Sequence, residues 1–297
     1  MSTLDERLAQ RTSLGTWTFD NRFSYRGGLG RIYGYDGSSE PPTDPGYTPT
    51  DPDATTYIAA VEAADGQALE DGVQAAYDDF FIGCKADGIW SAIKSSCILA
   101  GARTLTGALT PLAGTAPTNF NFVSGDYNRK TGLVGDGSTK YLDSNRNNSA
   151  DPQNNKHLSA YLTQAQSGTS GIHIGTNSAA TAGTCQIASD LSFNSTNFSV
   201  NNAGVQTVSS VTPRTGFLGA TRSAASDFTA RVDGANATAL ISSDAPNSIS
   251  TYIFCRNGNA VFSNARLAFY SIGESLDLAA LDTRVSALIT AIGAAIQ

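Results

Sequence analysis

The second half of the chain, from Ala116 onward, consists of short runs that alternate between apolar and polar residues, with turn residues between the runs. Asp233-Gly234 and Asn257-Gly258 each stand between two such runs, and these dipeptides are strong signals for a β-hairpin. Charged residues make up only 15% of the chain, below the usual share of about a quarter, which argues against a charged helical enzyme. About ten short strands at this spacing therefore predict a two-sheet β-sandwich or jelly roll over residues 116–297.

A strand that runs directly into a helix ends the chain. Residues Arg266–Ile272 alternate as a buried strand requires, and Gly273 ends this alternation. Ser275 or Asp277 can then accept hydrogen bonds from the exposed amides of a helix start. Apolar residues follow at steps of three and four, namely Leu278, Leu281, Val285, Leu288 and Ile292. We expect this amphipathic helix to lie against the sheet of the preceding strand and to close the domain.

Residues 54–115 are predicted to be a helical segment with three short helices around a small core. Three apolar stripes at helical spacing indicate these helices, and Asp65-Gly66 and residues 86–88 mark the turns between them. The stripes are Tyr57, Ile58 and Val61; then Leu69, Val73, Ala76, Tyr77 and Phe80; then Ile89, Trp90, Ile93, Cys97 and Ile98.

Residues 1–53 differ from the rest of the chain because aromatic residues and arginines are interspersed there with glycines. Aromatic residues and arginine are enriched at protein interfaces, and so short a segment cannot bury its rings by itself. The prolines of residues 40–53 favour an extended linker and exclude a helix. We predict an anchoring arm that docks on a partner; the alternative is an arm that lies on its own fold. The predicted partner-binding residues are Trp17, Phe19, Arg22, Phe23, Tyr25, Arg26, Arg31, Tyr33 and Tyr35.

Charge and cysteine content disfavour several classes of protein. The net charge of −7 and the pI of about 4.8 disfavour nucleic-acid binding, which needs clustered lysine and arginine. The N-terminal sequence shows neither a secretory signal nor a transmembrane span, so we expect synthesis in a cytoplasm without membrane insertion. No close cysteine pair occurs, and we expect four buried, reduced thiols. These cysteines are Cys84, Cys97, Cys185 and Cys255.

Several segments of the predicted sandwich resemble known proteins. GFLGATRSAASDFTARVDGANAT, from Gly216 to Thr238, contains a strand with an arginine that we expect to be exposed, a polar turn and a second strand. Together with GLVGDGSTKYLDS, from Gly132 to Ser144, and the closing strand and helix, it resembles the concanavalin A-like, laminin-G-like jelly rolls. The run that begins TAPTNFNFVSGDYNRK and ends NARLAFYSIGESLDL is similar to virion proteins of tailed bacteriophages that carry such a domain.

The resemblance to phage proteins implies a structural or adhesive role in a virion. Fibres, spikes and capsid decorations use jelly rolls to reach host-surface glycans or to clamp neighbouring subunits. A tail or neck fibre is the expected function, with other virion proteins as partners of the arm, a displayed jelly roll and a homotrimeric assembly. The alternatives are a capsid decoration or cement protein and a polysaccharide depolymerase.

Residues suited to catalysis are sparse. His157 and His173 are the two histidines, and each lies in or beside a predicted strand, where a structural position is expected. The sequence contains no nucleophile elbow, zinc-protease motif or phosphate loop. The acidic residues of the sandwich fall almost entirely in predicted turns, where Asp stabilises its own backbone. We therefore expect a protein that is not an enzyme and that holds neither a cofactor nor a metal.

Three alternative sites remain open from the sequence alone. Loop aromatics and the Asn-rich stretch of residues 145–155 suit a glycan, although a plain solvent loop has the same composition. A rim calcium site and a reactive or metal site are the other two. The calcium site would use Asp126, Asp136 and Asp227, and the reactive site would use Cys84 with Asp78, Asp79 and Asp87.

Overall fold

A computed structural model describes residues 46–177, 181–209, 214–257 and 261–297. The helices are α1 (Pro52–Asp65), α2 (Asp71–Ala86), α3 (Leu105–Ala108) and α4 (Leu278–Ala295). The first strands are β1 (Ile93–Ile98), β2 (Thr118–Phe120), β3 (Tyr127–Asn128), β4 (Gly132–Val134), β5 (Tyr141–Asn147), β6 (Lys156–Gln164), β7 (Gly171–Gly175) and β8 (Thr184–Asp190). The remaining strands are β9 (Ser195–Asn202), β10 (Gln206–Ser209), β11 (Gly216–Arg222), β12 (Phe228–Val232), β13 (Ala235–Ala239), β14 (Ser250–Ile253) and β15 (Arg266–Gly273).

The strands form two antiparallel sheets. The eight-stranded sheet has the order β13-β12-β11-β6-β15-β4-β3, and β1 also pairs with β15. The seven-stranded sheet has the order β10-β9-β8-β7-β14-β5-β2. Asp233 and Gly234 have positive φ angles and form the turn between β12 and β13, as their dipeptide predicts. The predicted fold, a mainly β sandwich with a closing helix, is confirmed.

The two sheets share one apolar core, because alternate side chains of both sheets point into it. The eight-stranded sheet contributes Leu158, Leu162 and Leu218, and the seven-stranded sheet contributes Leu142, Ile174, Ile187, Phe198 and Val200. Side chains on the opposite faces of these strands are therefore available for other contacts.

The closing helix α4 covers the outer face of the eight-stranded sheet. The Asp277 side chain caps it by accepting hydrogen bonds from the backbone amides of Ala279 and Ala280 at 2.8 and 3.3 Å. Its apolar stripe is buried together with Phe217 and Phe269 of the sheet, as the sequence predicts. The 18 residues of α4 are also long and apolar enough to cross a membrane, judged by length and composition alone.

The helices α1 and α2 confirm two of the three predicted helical stripes, but the third prediction is wrong. Residues Ile93–Ile98 form β1, which runs antiparallel to β15. Ser96 Oγ donates a hydrogen bond to the carbonyl of Tyr270 at 2.5 Å. Because both faces of β1 are largely buried, its residues show no two-residue alternation, and such a run cannot be distinguished from a helix by periodicity.

The end of the predicted extended linker is also helical. Asp51 caps α1, and Pro52 occupies the first position of the helix, where a missing amide hydrogen costs nothing. The preceding residues are held by Asp78 of α2, whose carboxylate accepts hydrogen bonds from Tyr47 Oη at 2.8 Å and from the amide of Thr50 at 2.8 Å.

Arg222, the arginine expected to be exposed in β11, is completely buried. Its guanidinium donates hydrogen bonds to backbone carbonyls, among them those of Val200 at 2.7 Å, Asp227 at 2.9 Å and Ile241 at 3.0 Å. These bonds satisfy the charged group and tie the loops around it together, so the prediction of exposure is wrong.

Candidate functional site

Three aromatic side chains stack on the outer face of the seven-stranded sheet near its β2 edge, and a fourth ring contacts them at a tilt. Phe120 lies opposite Tyr141 in the β2–β5 pair, and the two ring centroids are 4.4 Å apart at an angle of 5°. Tyr252, from the strand on the other side of β5, stacks on Tyr141 at 4.7 Å, and Phe262 approaches Tyr141 at 6.3 Å. We call Phe120, Tyr141, Tyr252 and Phe262 the aromatic ladder.

Strand pairing and two-residue alternation place these rings on one face. In the β14–β5 pair, Tyr252 lies opposite Asp143 and Ile253 lies opposite Leu142. Leu142 and Ile253 are completely buried in the core between the sheets. Their neighbours Tyr141 and Tyr252 must therefore point to the outer face, where cross-strand neighbours come into contact.

A carboxylate lies beside the ladder on the same face. Asp143 is opposite both Tyr252 in β14 and Thr118 in β2. Its Oδ1 accepts hydrogen bonds from the amide of Asn145 at 2.8 Å and from the hydroxyl of Ser250. Within the described part of the chain, Oδ2 accepts no further hydrogen bond. The face thus combines aromatic surface with a fixed acceptor.

Asn145 fixes the chain next to this carboxylate. Its φ of 54° lies in the left-handed region, which Asn adopts more readily than most residues. Its Nδ2 donates to the carbonyl of Ala116 at 2.8 Å and to Thr118 Oγ1 at 3.0 Å. These bonds tie β2 to β5, so the ladder and the carboxylate are held on one rigid edge of the sheet.

Both tyrosines of the ladder have a raised pKa, mainly because their phenols are partly buried. Burial is the largest cause that raises the pKa of Tyr252, and the charge of Asp143 adds to it. Burial also raises the pKa of Tyr141, with the neighbouring Cys255 and Asp143 as the next causes. Both hydroxyls stay protonated at neutral pH and can donate as well as accept hydrogen bonds.

Both histidines are buried structural residues of the sandwich. His157 contacts the carbonyl of Glu274 at 2.5 Å and Ser271 Oγ at 2.9 Å. His173 contacts the hydroxyls of Ser263 at 2.9 Å and Ser189 at 2.8 Å. Their rings are fully inaccessible to solvent, and burial lowers the pKa of each to about 4.

The three aspartates of the alternative calcium site are engaged separately. Asp126 forms an ion pair with Lys140, with 2.6 Å between Oδ1 and Nζ. Asp136 accepts hydrogen bonds from the amides of residues 138, 139 and 140, and Asp227 accepts one from Ser226 Oγ at 2.6 Å. Within the described ranges, no group of three or more His, Cys, Asp or Glu residues is placed to hold a metal.

The four cysteines are free and buried, which confirms their prediction as reduced thiols. Burial raises the pKa of Cys84 to about 12. The acidic residues of the alternative site around it serve other contacts, since Asp78 holds residues 47–51 and Asp87 pairs with Arg284 at 2.7 Å. The partner-binding residues predicted for the arm, from Trp17 to Tyr35, lie outside the described residues.

A groove of about 430 Å³ also lies between α2 and α4. Its lining includes the partly exposed Ile82 and the ion-paired Arg284. The contacts of these residues are accounted for by helix packing and by the Arg284–Asp87 pair, so the aromatic ladder remains the better candidate for a site.

Sequence reasoning did not identify the aromatic ladder. The alternation Tyr141-Leu142-Asp143 was visible, and it places a tyrosine and a carboxylate on one face of a strand. Which strands lie beside β5 depends on the topology, and Phe120 and Tyr252 are far from Tyr141 in opposite directions of the chain.

Comparisons with known proteins give only distant matches. No family model matches the chain, and no curated protein matches it significantly. A mutant sialidase of Trypanosoma rangeli that displays trans-sialidase activity is 11% identical, with a TM-score of 0.45, over 75% of this chain and 39% of that one. The binding domain of botulinum neurotoxin serotype D is 13% identical, with a TM-score of 0.45, over 66% of this chain and 51% of that one.

The NanB sialidase of Streptococcus pneumoniae is 10% identical, with a TM-score of 0.36, over 48% of this chain and 26% of that one. This chain thus spans between about a quarter and a half of the length of these matched structures. The presence of sialidases contradicts the prediction that this chain is not an enzyme, and that exclusion is wrong. An enzymatic activity is not established by matches at this distance.

Proposed function

We propose that this chain is a structural protein of a tailed-bacteriophage virion, most simply a tail or neck fibre. Residues 1–53 attach it to other virion proteins, and the β-sandwich is displayed for adhesion to a host-surface glycan. The phage part of this proposal is supported by the resemblance of the run of residues 115–278 to phage virion proteins. The homotrimer is part of the same proposal.

The adhesive part is supported by the aromatic ladder and the carboxylate beside it. Sugars present apolar C–H faces and polar hydroxyl edges, so a glycan site needs aromatic surface next to hydrogen-bonding groups. Phe120 supplies accessible ring surface, since 36% of this residue is exposed at the sheet edge. Asp143 and the two ladder phenols supply the polar groups within the same face.

The direct test is binding of host-surface polysaccharide fragments to the wild type and to Phe120→Ala. Aromatic residues at the centre of a binding surface contribute about 2 kcal/mol or more, so we expect at least about a tenfold loss of affinity. Phe193→Ala is the matched control, because Phe193 is 76% exposed at the tip of the β8–β9 hairpin, away from the ladder. Equal binding by all three proteins would refute the assignment of the site.

The attachment role is tested on particles. A chain that lacks residues 1–45 keeps the residues that Asp78 holds and the Asp51 cap of α1. This chain should fold and bind glycan but fail to enter virions, and its incorporation would refute the anchor. The number of copies per particle separates a fibre from a capsid decoration, which would be present in hundreds of copies. Light scattering of the isolated protein tests the trimer, and a monomer at micromolar concentration would contradict it.

A further inference from the structure

We infer that the aromatic ladder selects neutral pyranose sugars over sugars that carry a carboxylate. The inference rests on the proposed glycan-binding function, and it concerns the class of sugar that this face accepts. Three features carry it: the open ring surface of Phe120, the free acceptor of Asp143, and the distribution of charge around them.

The ring of Phe120 provides the stacking surface. One face of this ring is covered by Tyr141, at 4.4 Å and an angle of 5°. Among the strands of residues 46–297 that the structure describes, β2 is the last of its sheet, and none of them covers the other side of Phe120. The C–H face of a pyranose carries a small positive potential and is apolar, and it stacks favourably on the negative face of an aromatic ring.

Asp143 provides the acceptor for sugar hydroxyls. Phe120 and Asp143 are diagonal neighbours, because Phe120 lies opposite Tyr141 and Thr118 lies opposite Asp143. Such neighbours are about 7–8 Å apart, a span that one sugar ring bridges. Oδ1 is occupied by Asn145 and Ser250, whereas Oδ2 accepts no hydrogen bond from any described residue. An ionised carboxylate only accepts, so its natural partner here is a hydroxyl donor.

The charges around the ladder disfavour an anionic sugar. Two basic residues lie in β5 or in the turn before it, and each forms an ion pair with an acidic residue. Lys140 pairs with Asp126 at 2.6 Å, and Arg146 pairs with Asp151. The backbone of Arg256 lies beside Gly175 of β7, so β14 separates it from Asp143 in β5. A sugar carboxylate stacked on Phe120 would therefore meet the like charge of Asp143, and repulsion between the two would weaken binding.

The test compares oligosaccharides in pairs whose two members differ only in the oxidation state of C6. Gluco-, manno- and galacto-oligosaccharides are each compared with the counterpart whose C6 hydroxymethyl groups are oxidised to carboxylates, by calorimetry at pH 7 and low salt. For the pair that binds, the neutral member should bind at least about tenfold more tightly, and added salt should reduce this ratio. Asp143→Asn should bind the neutral sugar about tenfold less tightly and should lose most of the discrimination.

Asp190→Asn is the matched control for Asp143→Asn. Asp190 also accepts from an amide two residues ahead, Ser192 N at 3.1 Å, and from a serine hydroxyl, Ser170 Oγ at 3.2 Å, but it lies at the far end of β8. The Asp190→Asn variant should bind the neutral sugar and the oxidised sugar with the same affinities as the wild type. A wild type that binds the oxidised sugars as tightly as the neutral ones overturns the inference and leaves the proposed function standing. Binding of neither class overturns both.

Discussion

Acidification from pH 7 to pH 4.5 should destabilise the sandwich through its two buried histidines. His157 lies in β6, opposite Gly273 of β15, and His173 lies in β7; neither is exposed to solvent. Burial is the main cause that lowers the pKa of both from 6.5 to about 4. For His173 burial is the sole cause, because both ring nitrogens face neutral serine hydroxyls.

The direction and the magnitude of this change in the free energy of unfolding follow from proton linkage. The unfolded chain takes up each proton near pH 6.5, whereas the folded chain takes it up only near pH 4. The free energy of unfolding is therefore highest above pH 6.5 and falls as the pH decreases toward 4. The full shift corresponds to about 3 kcal/mol for each histidine, of which about 2 kcal/mol is lost between pH 7 and pH 4.5.

Together the two histidines should lower the stability by about 4 kcal/mol over this range, a large part of the stability of an ordinary domain. Urea unfolding at pH 7, 6, 5 and 4.5, followed by circular dichroism, measures this change. Carboxylates whose pKa the fold lowers contribute mostly below this window, because the unfolded chain takes up their protons near pH 3.8 for Asp51, Asp78 and Asp136 and near pH 4.5 for Glu70.

Variants that lack one or both histidines isolate their contribution to the pH dependence of stability. His173→Gln should reduce the pH dependence by about half, whatever its effect on stability at pH 7, because one of the two protons is removed. The double variant His157→Gln/His173→Gln should show almost no change between pH 7 and pH 4.5. A wild-type stability that is constant over this range, or a double variant with the wild-type slope, would refute the reasoning.

Three further predictions concern the core and its thiols. Gly132→Ala should lower the free energy of unfolding by about 2 kcal/mol or more, because φ is 96° and the new Cβ would clash with the Leu267 carbonyl oxygen. Gly66→Ala, which has the same sign of φ but open space around it, should lower it by about 1 kcal/mol. Asp151→Asn should cost about 3–5 kcal/mol because Lys156 is buried beside it, and Asp151→Asn/Lys156→Met should recover part of the loss; no recovery would contradict the pairing. The cysteines should react with a thiol reagent only after unfolding, and rapid labelling of the folded protein would contradict their burial.

The sequence predicted the sandwich and its closing helix because both signals are local. The alternation in Arg266–Gly273 and the stripe from Leu278 to Ile292 appear in consecutive residues, and both correspond to observed elements. β1 was predicted wrongly because a strand that is buried on both faces has no alternation to detect. Arg222 was predicted wrongly because its exposure depends on carbonyls of distant loops, which no local pattern reveals.

The aromatic ladder could not be predicted because it is a product of topology. Each of its members is an ordinary aromatic residue in its own stretch of chain, and only the order β14-β5-β2 brings Tyr252, Tyr141 and Phe120 side by side. The sequence-based candidate for a glycan site, the Asn-rich residues 145–155, reaches this face at Asn145, whose amide donates to Asp143. The sequence therefore indicated the neighbourhood of the site but not its aromatic surface.

Binding of a glycan by the aromatic ladder is tested most directly by a titration that is followed by NMR. Host-surface polysaccharide fragments are added to the protein while the ring protons of its assigned aromatic residues are observed. The predicted result is saturable shifts of Phe120, Tyr141 and Tyr252, with Phe193 unchanged. Shifts that are confined to residues of the α2–α4 groove, or a spectrum that does not change at any concentration, would contradict the claim.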